Sequence, residues 1–148
     1  MNDKAKTPFE RIGGLKVLQK VAKIFYDKVY DHEWLGQYFT HMEQSHIESQ
    51  QVDFMSGRLN GPKAYSGRFP GPAHEHMVIS VELFDVRESL LEEAMTECNI
   101  PEDLKEIWHN IDRAFRDRIV KSADNPVKKR FFTDTILDFP KKSNKGAA

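Results

Sequence analysis

Cysteine is almost absent: Cys98 is the only one in 148 residues. That excludes an intrachain disulfide framework and a cysteine-based zinc site, and it points to a reducing compartment. An excess of positive charge is missing too. Twenty-two Lys and Arg stand against 23 Asp and Glu, a net charge of −1, so nothing drives the chain towards nucleic-acid phosphates. No apolar run approaches the roughly 20 residues that span a bilayer, and the N-terminal MNDKAK has no apolar signal core. The expected setting is the cytoplasm, with no membrane partner. Strand-like alternation, a phosphate-cradling glycine loop, a nucleophile elbow and a Cys/His pair on suitable elements are also lacking.

Aromatic residues and helical periodicity are what the chain has. Ten Phe, four Tyr and two Trp are a heavy load for the single domain that about 100–200 residues form. With 39% hydrophobic and 30% charged residues, the composition is that of a globular chain. Thr7-Pro8-Phe9-Glu10 reads as a cap, a first-turn proline and an acidic first turn, so residues 8–12 predict a short helix ahead of Gly13-Gly14. Leu15, Leu18, Ala22, Phe25 and Val29 recur at helical spacing, and residues 32–39 read as one or two turns around a corner. A second long helix is expected over residues 43–59, stopped by Asn60-Gly61-Pro62. Residues 60–73 hold three Gly and three Pro and read as an irregular loop. A third helix over 80–99 takes Ser80 as its cap, and a fourth after Pro101 carries Leu104, Ile107, Trp108, Ile111, Phe115 and Ile119 as far as Asp124-Asn125-Pro126. Residues 127–139 are compatible with a further short helix, and the last nine read as disordered. The expectation is an all-α domain over 1–123 followed by a basic extension over 124–148. Residues 121–148 carry seven basic and three acidic side chains, a balance of +4 that leaves −5 for residues 1–120.

Polar residues at core-facing positions mark candidate sites, because an unpaired buried polar group costs about 1–3 kcal/mol. Gln51 falls among Ile47, Phe54 and Met55, Tyr26 lies on the shoulder of the first long helix's apolar stripe, and Arg87 sits between Phe84, Leu91 and Ala94. Each has a plain structural explanation: a core amide bonded to a backbone carbonyl, a boundary tyrosine, a snorkelling guanidinium. Of six histidines, His74 and His76 precede the apolar Met77-Val78-Ile79, so either imidazole can be aimed into the core. Glu43-x-x-His46 and Glu106-x-x-His109 have the spacing of di-iron carboxylate bundles. Their helical phase, however, points away from the apolar stripes, and that reading is set aside.

Taken in order, Phe9-Glu10-Arg11-Ile12-Gly13-Gly14, Phe25-Tyr26, Tyr38-Phe39, Gln51-Val52-Asp53-Phe54, Gly61-Pro62, Tyr65-Ser66-Gly67-Arg68, Ala73-His74 and Ile79 resemble the truncated (2-on-2) haemoglobins, most closely their first group. The likeness ends near Ile119 and covers the greater part of the chain. It implies a 2-on-2 globin fold holding haem b, with His74, five residues before Ile79, as the iron's proximal ligand. It implies Tyr26 and Gln51 as distal hydrogen-bond donors, and places Ile47 where other globins carry a distal polar residue, with Gln50 and His46 nearby. Phe39 matches the residue that packs on the haem face. Phe54, Met55, Met77, Ile79 and Phe84 match other pocket walls, and Tyr65 a position that reaches a haem propionate. Arg87 departs from the family pattern, and the expectation is that it lines the distal cavity or reaches a propionate. A haem wedged among Phe25, Phe39, Phe54 and Phe84 would account for the surplus of phenylalanine.

The implied function is reversible O2 binding at ferrous iron, with NO and CO as further ligands. NO dioxygenation, in which bound O2 converts NO to nitrate, is an expectation by family analogy and would require an unidentified reductase. A competing expectation is a haem-based sensor or interaction module acting through Lys128-Lys129-Arg130 and the residues beyond. A third is a haem-free helical bundle whose histidines are incidental.

Overall fold

A computed structural model describes residues 6–67 and 70–141. Arg68 of the Tyr65–Arg68 motif and residues 142–148, most of the stretch expected to be disordered, lie outside the described residues. The first helix, α1 (Pro8–Ile12), begins with the expected cap: the Glu10 N–H donates to Thr7 Oγ1 at 3.1 Å and the Thr7 N–H to Glu10 Oε1 at 3.0 Å. It ends at Gly13, whose φ of 116° is left-handed and where a Cβ would also collide with Val17. That turn releases α2 (Gly14–Asp31), which buries Leu18, Val21, Ala22, Phe25, Tyr26 and Val29.

The corner after α2 is a 3-10 turn (Leu35–Phe39). His32 Nδ1 accepts from the Trp34 and Leu35 N–H groups at 3.1 and 3.0 Å, which satisfies donors that the tight turn leaves open. Next comes α3 (Gln44–Arg58), closed by Gly61, where the ring of Phe9 lies so near that no side chain fits. The Phe9 N–H donates to the Leu59 carbonyl at 2.9 Å and so joins α1 to the end of α3. The remaining helices are α4 (Pro70–Ala73), α5 (Val81–Glu97, with Ser80 Oγ accepting from the Leu83 N–H at 3.1 Å), α6 (Glu102–Ala114) and α7 (Arg116–Ile119). α2 packs most extensively on α3 and next on α5, which also meets α6. Among the described residues there is no strand, and no helix is long and apolar enough to cross a membrane.

Three local expectations are corrected. The Gly/Pro loop contains α4, because Pro70 presets the backbone angle of a first helical turn. The fourth helix breaks at Phe115 and resumes as α7. Residues 127–139 form no helix; they pass beside residues 75–78 in two stretches separated by a turn at 130–133, which the Asp134 N–H closes on the Phe131 carbonyl at 2.9 Å. The Val78 N–H donates to the Leu137 carbonyl at 2.8 Å, the Leu137 N–H to His76 at 2.9 Å and the Lys128 N–H to Glu75 at 2.9 Å. A helix over this stretch would turn those peptide groups inward on itself and leave the non-helical backbone between α4 and α5 unpaired. Beyond Leu137, Phe139 stacks edge-on against Tyr38 with ring centroids 5.0 Å apart, and its carbonyl accepts from Trp34 Nε1 at 2.6 Å. Phe139→Ala is therefore expected to destabilise the fold by about 1–2 kcal/mol, less than the roughly 3–5 kcal/mol of a fully buried aromatic truncation because the ring is only half-buried; a denaturant titration measures it.

Candidate functional site

Between α2, α3, α4 and α5 lies a cavity of about 460 Å³, a size typical of small-molecule and cofactor sites. Phe25, Phe39, Phe54, Phe84 and Phe115 supply its aromatic walls, with Val29, Leu35, Met42, Ile47, Met77, Ile79, Leu83 and Ile119 between them. The polar groups on the wall are few: Tyr26, Tyr38, Gln50, Gln51, Tyr65, His74, Arg87, Asp112 and Arg130.

His74 follows the single turn of α4, and its ring is oriented by the backbone. Nδ1 lies 2.6 Å from the Pro70 carbonyl oxygen. A carbonyl can only accept, so Nδ1 carries the hydrogen and Nε2 keeps its lone pair. Nε2 has no hydrogen-bond partner among the described residues. Burial pushes the imidazole down to about 4, only partly offset by the Pro70 bond, so the ring is neutral at physiological pH. Its own carbonyl is held by Lys121 Nζ at 2.8 Å, while the Lys121 N–H donates to Ile79 at 2.8 Å. His76, the other sequence candidate, is buried behind residues 127–139 and does not line the cavity.

Other elements bring the remaining candidates in. From α2, Tyr26 is buried with its ring edge against Phe25, and burial pushes its hydroxyl up to about 12 despite the nearby Arg87 charge, so it stays an O–H donor. From α3, the face carrying Ile47, Gln50, Gln51 and Phe54 lines the cavity. Met55, expected on that wall, is fully buried on another face together with Val52, Ser56 and Leu59. One residue on a helix is about 100° of rotation, so Phe54 and Met55 serve different neighbours. His46 is exposed and away from the wall. Tyr65 lines the cavity edge-on to Phe54 at 5.2 Å.

Arg87 enters from α5 and is held by two carboxylates. Its Nη1 donates to Glu88 Oε2 at 2.6 Å and to Asp112 Oδ2 of α6 at 2.8 Å, and the guanidinium carbon stands 5.0 Å from the Phe25 ring centroid. Burial opposes the guanidinium charge, but Asp112 and Glu88 outweigh it. Behind this group, His109 Nδ1 and Nε2 lie 2.9 Å from Glu88 Oε1 and Glu92 Oε1. His109, set off the apolar stripe of α6 by its helical phase, thus bridges α6 to α5. Among the described residues no group of three or more His, Cys, Asp or Glu is arranged to hold a metal ion by itself. Sequence reasoning missed Asp112, Phe115 and Arg130 as cavity residues. Phe115 stood on the apolar stripe of the fourth helix, and Asp112 lies one residue from Ile111 on it, but nothing in that periodicity marked either as facing a cavity.

An all-α fold that encloses an apolar cavity, with one oriented neutral imidazole in its wall, has the architecture of a globin. The sequence pattern of the bacterial-like globin family matches residues 7–121. The chain is 30% identical over 112 residues to a group 1 truncated hemoglobin of Tetrahymena pyriformis, across 72% of this chain and 93% of that protein. It is 30% identical over 95 residues to one of Mycolicibacterium paratuberculosis, across 64% and 70% respectively. Its fold superposes on the crystal structure of the Tetrahymena pyriformis truncated hemoglobin in its Fe(III) form with a TM-score of 0.74 at 24% identity, covering 79% of this chain and all of that one. The chain belongs to the bacterial-like, truncated globin family, and membership implies a haem cofactor and the binding of diatomic gases.

Truncating Arg87 leaves Asp112 and Glu88 without their cation. Arg87→Met is expected to cost about 3 kcal/mol of unfolding free energy, and Arg87→Met with Asp112→Leu to recover most of it. Chemical denaturation of the three proteins distinguishes this from a surface pair, for which the single substitution would cost under about 1 kcal/mol.

Proposed function

We propose that this globin holds haem b in the cavity, with His74 Nε2 as the iron's protein ligand, and binds O2 reversibly on the side served by Tyr26 and Gln51. The observation that carries this reading is His74 itself: a neutral, half-buried imidazole on an apolar cavity wall, with Nδ1 tied to Pro70. Metal-bound histidines are oriented in this way, the second nitrogen donating to a backbone carbonyl to fix tautomer and ring angle. The five phenylalanines offer faces for a flat apolar macrocycle, and Tyr65 is a polar wall group suited to its carboxylates, beside Arg130, whose Nε and Nη2 are held by Asp134 at 2.8 and 2.9 Å. When bound, the haem supplies a ferrous centre to which a diatomic gas can coordinate.

The protein's part is to position and stabilise the ligand. Tyr26 keeps its hydroxyl hydrogen at any physiological pH, and Gln51 offers an amide N–H from the neighbouring helix. Each donor to a partly negative bound oxygen is worth a net of about 1–1.5 kcal/mol, close to a tenfold slowing of release. Ile47 adds an apolar group to the same face of α3 and helps exclude water.

Purified protein is expected to show a haem absorption band that His74→Ala abolishes or shifts to a different ligation. Persistence of the wild-type spectrum in that variant would defeat the assignment. Tyr26→Phe and Gln51→Leu are each expected to speed O2 dissociation about tenfold in flash photolysis or stopped flow.

A further inference from the structure

The polar seam between α5 and α6 connects two separate spaces. Arg87 and Asp112 line the haem-sized cavity, whereas Glu88, His109 and Glu92 line a groove on the outer surface. The hydrogen bonds are continuous: Asp112 and Glu88 both accept from Arg87 Nη1, Glu88 meets His109 Nδ1, and His109 Nε2 meets Glu92. Side-chain exposure along this line is 11% for Asp112, 15% for Glu88, 14% for His109 and 45% for Glu92, so the line runs from the interior to water. Every member can carry a proton. The proposed function assigns ligand stabilisation to Tyr26 and Gln51 and gives this cation, its carboxylates and the solvent-connected imidazole no role.

We propose that Arg87 and Asp112 form a proton-coupled anion subsite of the cavity, for the conjugate base of a small weak acid. The inference rests on haem binding as proposed above. Only Nη1 of Arg87 is committed to carboxylates, and the guanidinium faces the Tyr26 hydroxyl. An anion X− entering beside them raises the cost of a second negative charge on Asp112. Asp112 therefore takes up a proton, either from HX itself, breaking H–X and forming O–H, or from water by way of His109 and Glu88. Nothing is oxidised or reduced.

The charged and titratable groups facing Asp112 are Arg87 and Glu88 from α5 and Tyr26 from α2, with His109 one turn away on α6. Burial raises Asp112 above the ordinary carboxylate range against the pull of Arg87. The bond to Glu88 raises His109 despite its burial. Asp112 can thus exchange a proton close to neutrality, while His109 and Arg87 hold Glu88 below the usual carboxylate range despite its burial. The sign of the linkage follows. Where Asp112 is already protonated, anion affinity is independent of pH; above its midpoint each anion bound requires one proton, and affinity falls about tenfold per pH unit.

Azide binding to the haem-loaded protein, followed by absorption between pH 5.5 and 8.5 with proton uptake read from an indicator dye, tests the proposal. The wild type is expected to take up one proton per azide above the midpoint. In Asp112→Asn, or Asp112→Ser where Asn does not fold, uptake is lost and affinity flattens over the same range. His109→Phe is expected to slow proton uptake at least tenfold, and an unchanged rate overturns the path through His109. In the haem-free protein, the His109 titration seen by NMR is expected to drop towards the ordinary histidine value in Glu88→Gln. Equal proton uptake in wild type and both Asp112 variants, or no uptake in the wild type, overturns the subsite. A chain that takes up no haem refutes the proposed function instead, so the two failures are distinguishable.

Discussion

The hydrogen bond from His74 Nδ1 to the Pro70 carbonyl, 2.6 Å long, decides which ring nitrogen keeps a lone pair, and much of the surrounding structure holds it in place. α4 exists for a single turn, sufficient to bring the Pro70 oxygen under the imidazole. Lys121 fastens the His74 carbonyl from one side, and the tail pairs with His76 and Val78 on the other. The segment bearing His74 has no regular structure of its own, so its position is borrowed from the chain that brackets it. The tail residues beyond 121 lie outside the stretch that matches the globin family, yet they supply the contacts to His76 and Val78 and place Arg130 on the cavity wall.

The second organising feature is the division of α5 into two environments. Phe84 and Leu83 join the apolar wall, while Arg87 interrupts it with a charge. A guanidinium in that place is tolerated because α6 presents Asp112 and α5 itself presents Glu88, which together outweigh the cost of burial. Once a buried cation and carboxylates are present, His109 and Glu92 complete the line of hydrogen bonds to solvent. Glu92 also accepts from Lys105 at 2.9 Å, which anchors the outer end of the line to α6.

Much of the helical frame was legible because it rests on local signals. The Thr7 cap, the Gly13 turn, the Ser80 cap and the stop at Asn60-Gly61-Pro62 each act within a few residues and lie where the sequence put them. Gln51 and Tyr26 stood out because they interrupt apolar stripes, and both line the cavity. Met55 shows the limit of the same reasoning. A stripe wide enough to serve two neighbours does not reveal which residues face the cavity and which face the next helix. The tail was illegible for a different reason: its path is stabilised by backbone partners 53 to 61 residues earlier in the chain, a distance at which no periodicity can inform.

By itself, then, the sequence determined the helices, their caps and the residues too polar for their positions, since these depend on backbone sterics and side-chain periodicity within one turn or two. Periodicity left His74 and His76 equivalent, the resemblance to a known family singled out His74, and the cavity wall carries His74 and not His76; the tertiary structure alone decided that Asp112 closes on Arg87 and that the last described segment runs as a strap. Those outcomes depend on contacts between distant elements, where the position of one side chain is fixed by the surface another presents. Hydrogen bonding and burial become specific only when the chain has closed on itself.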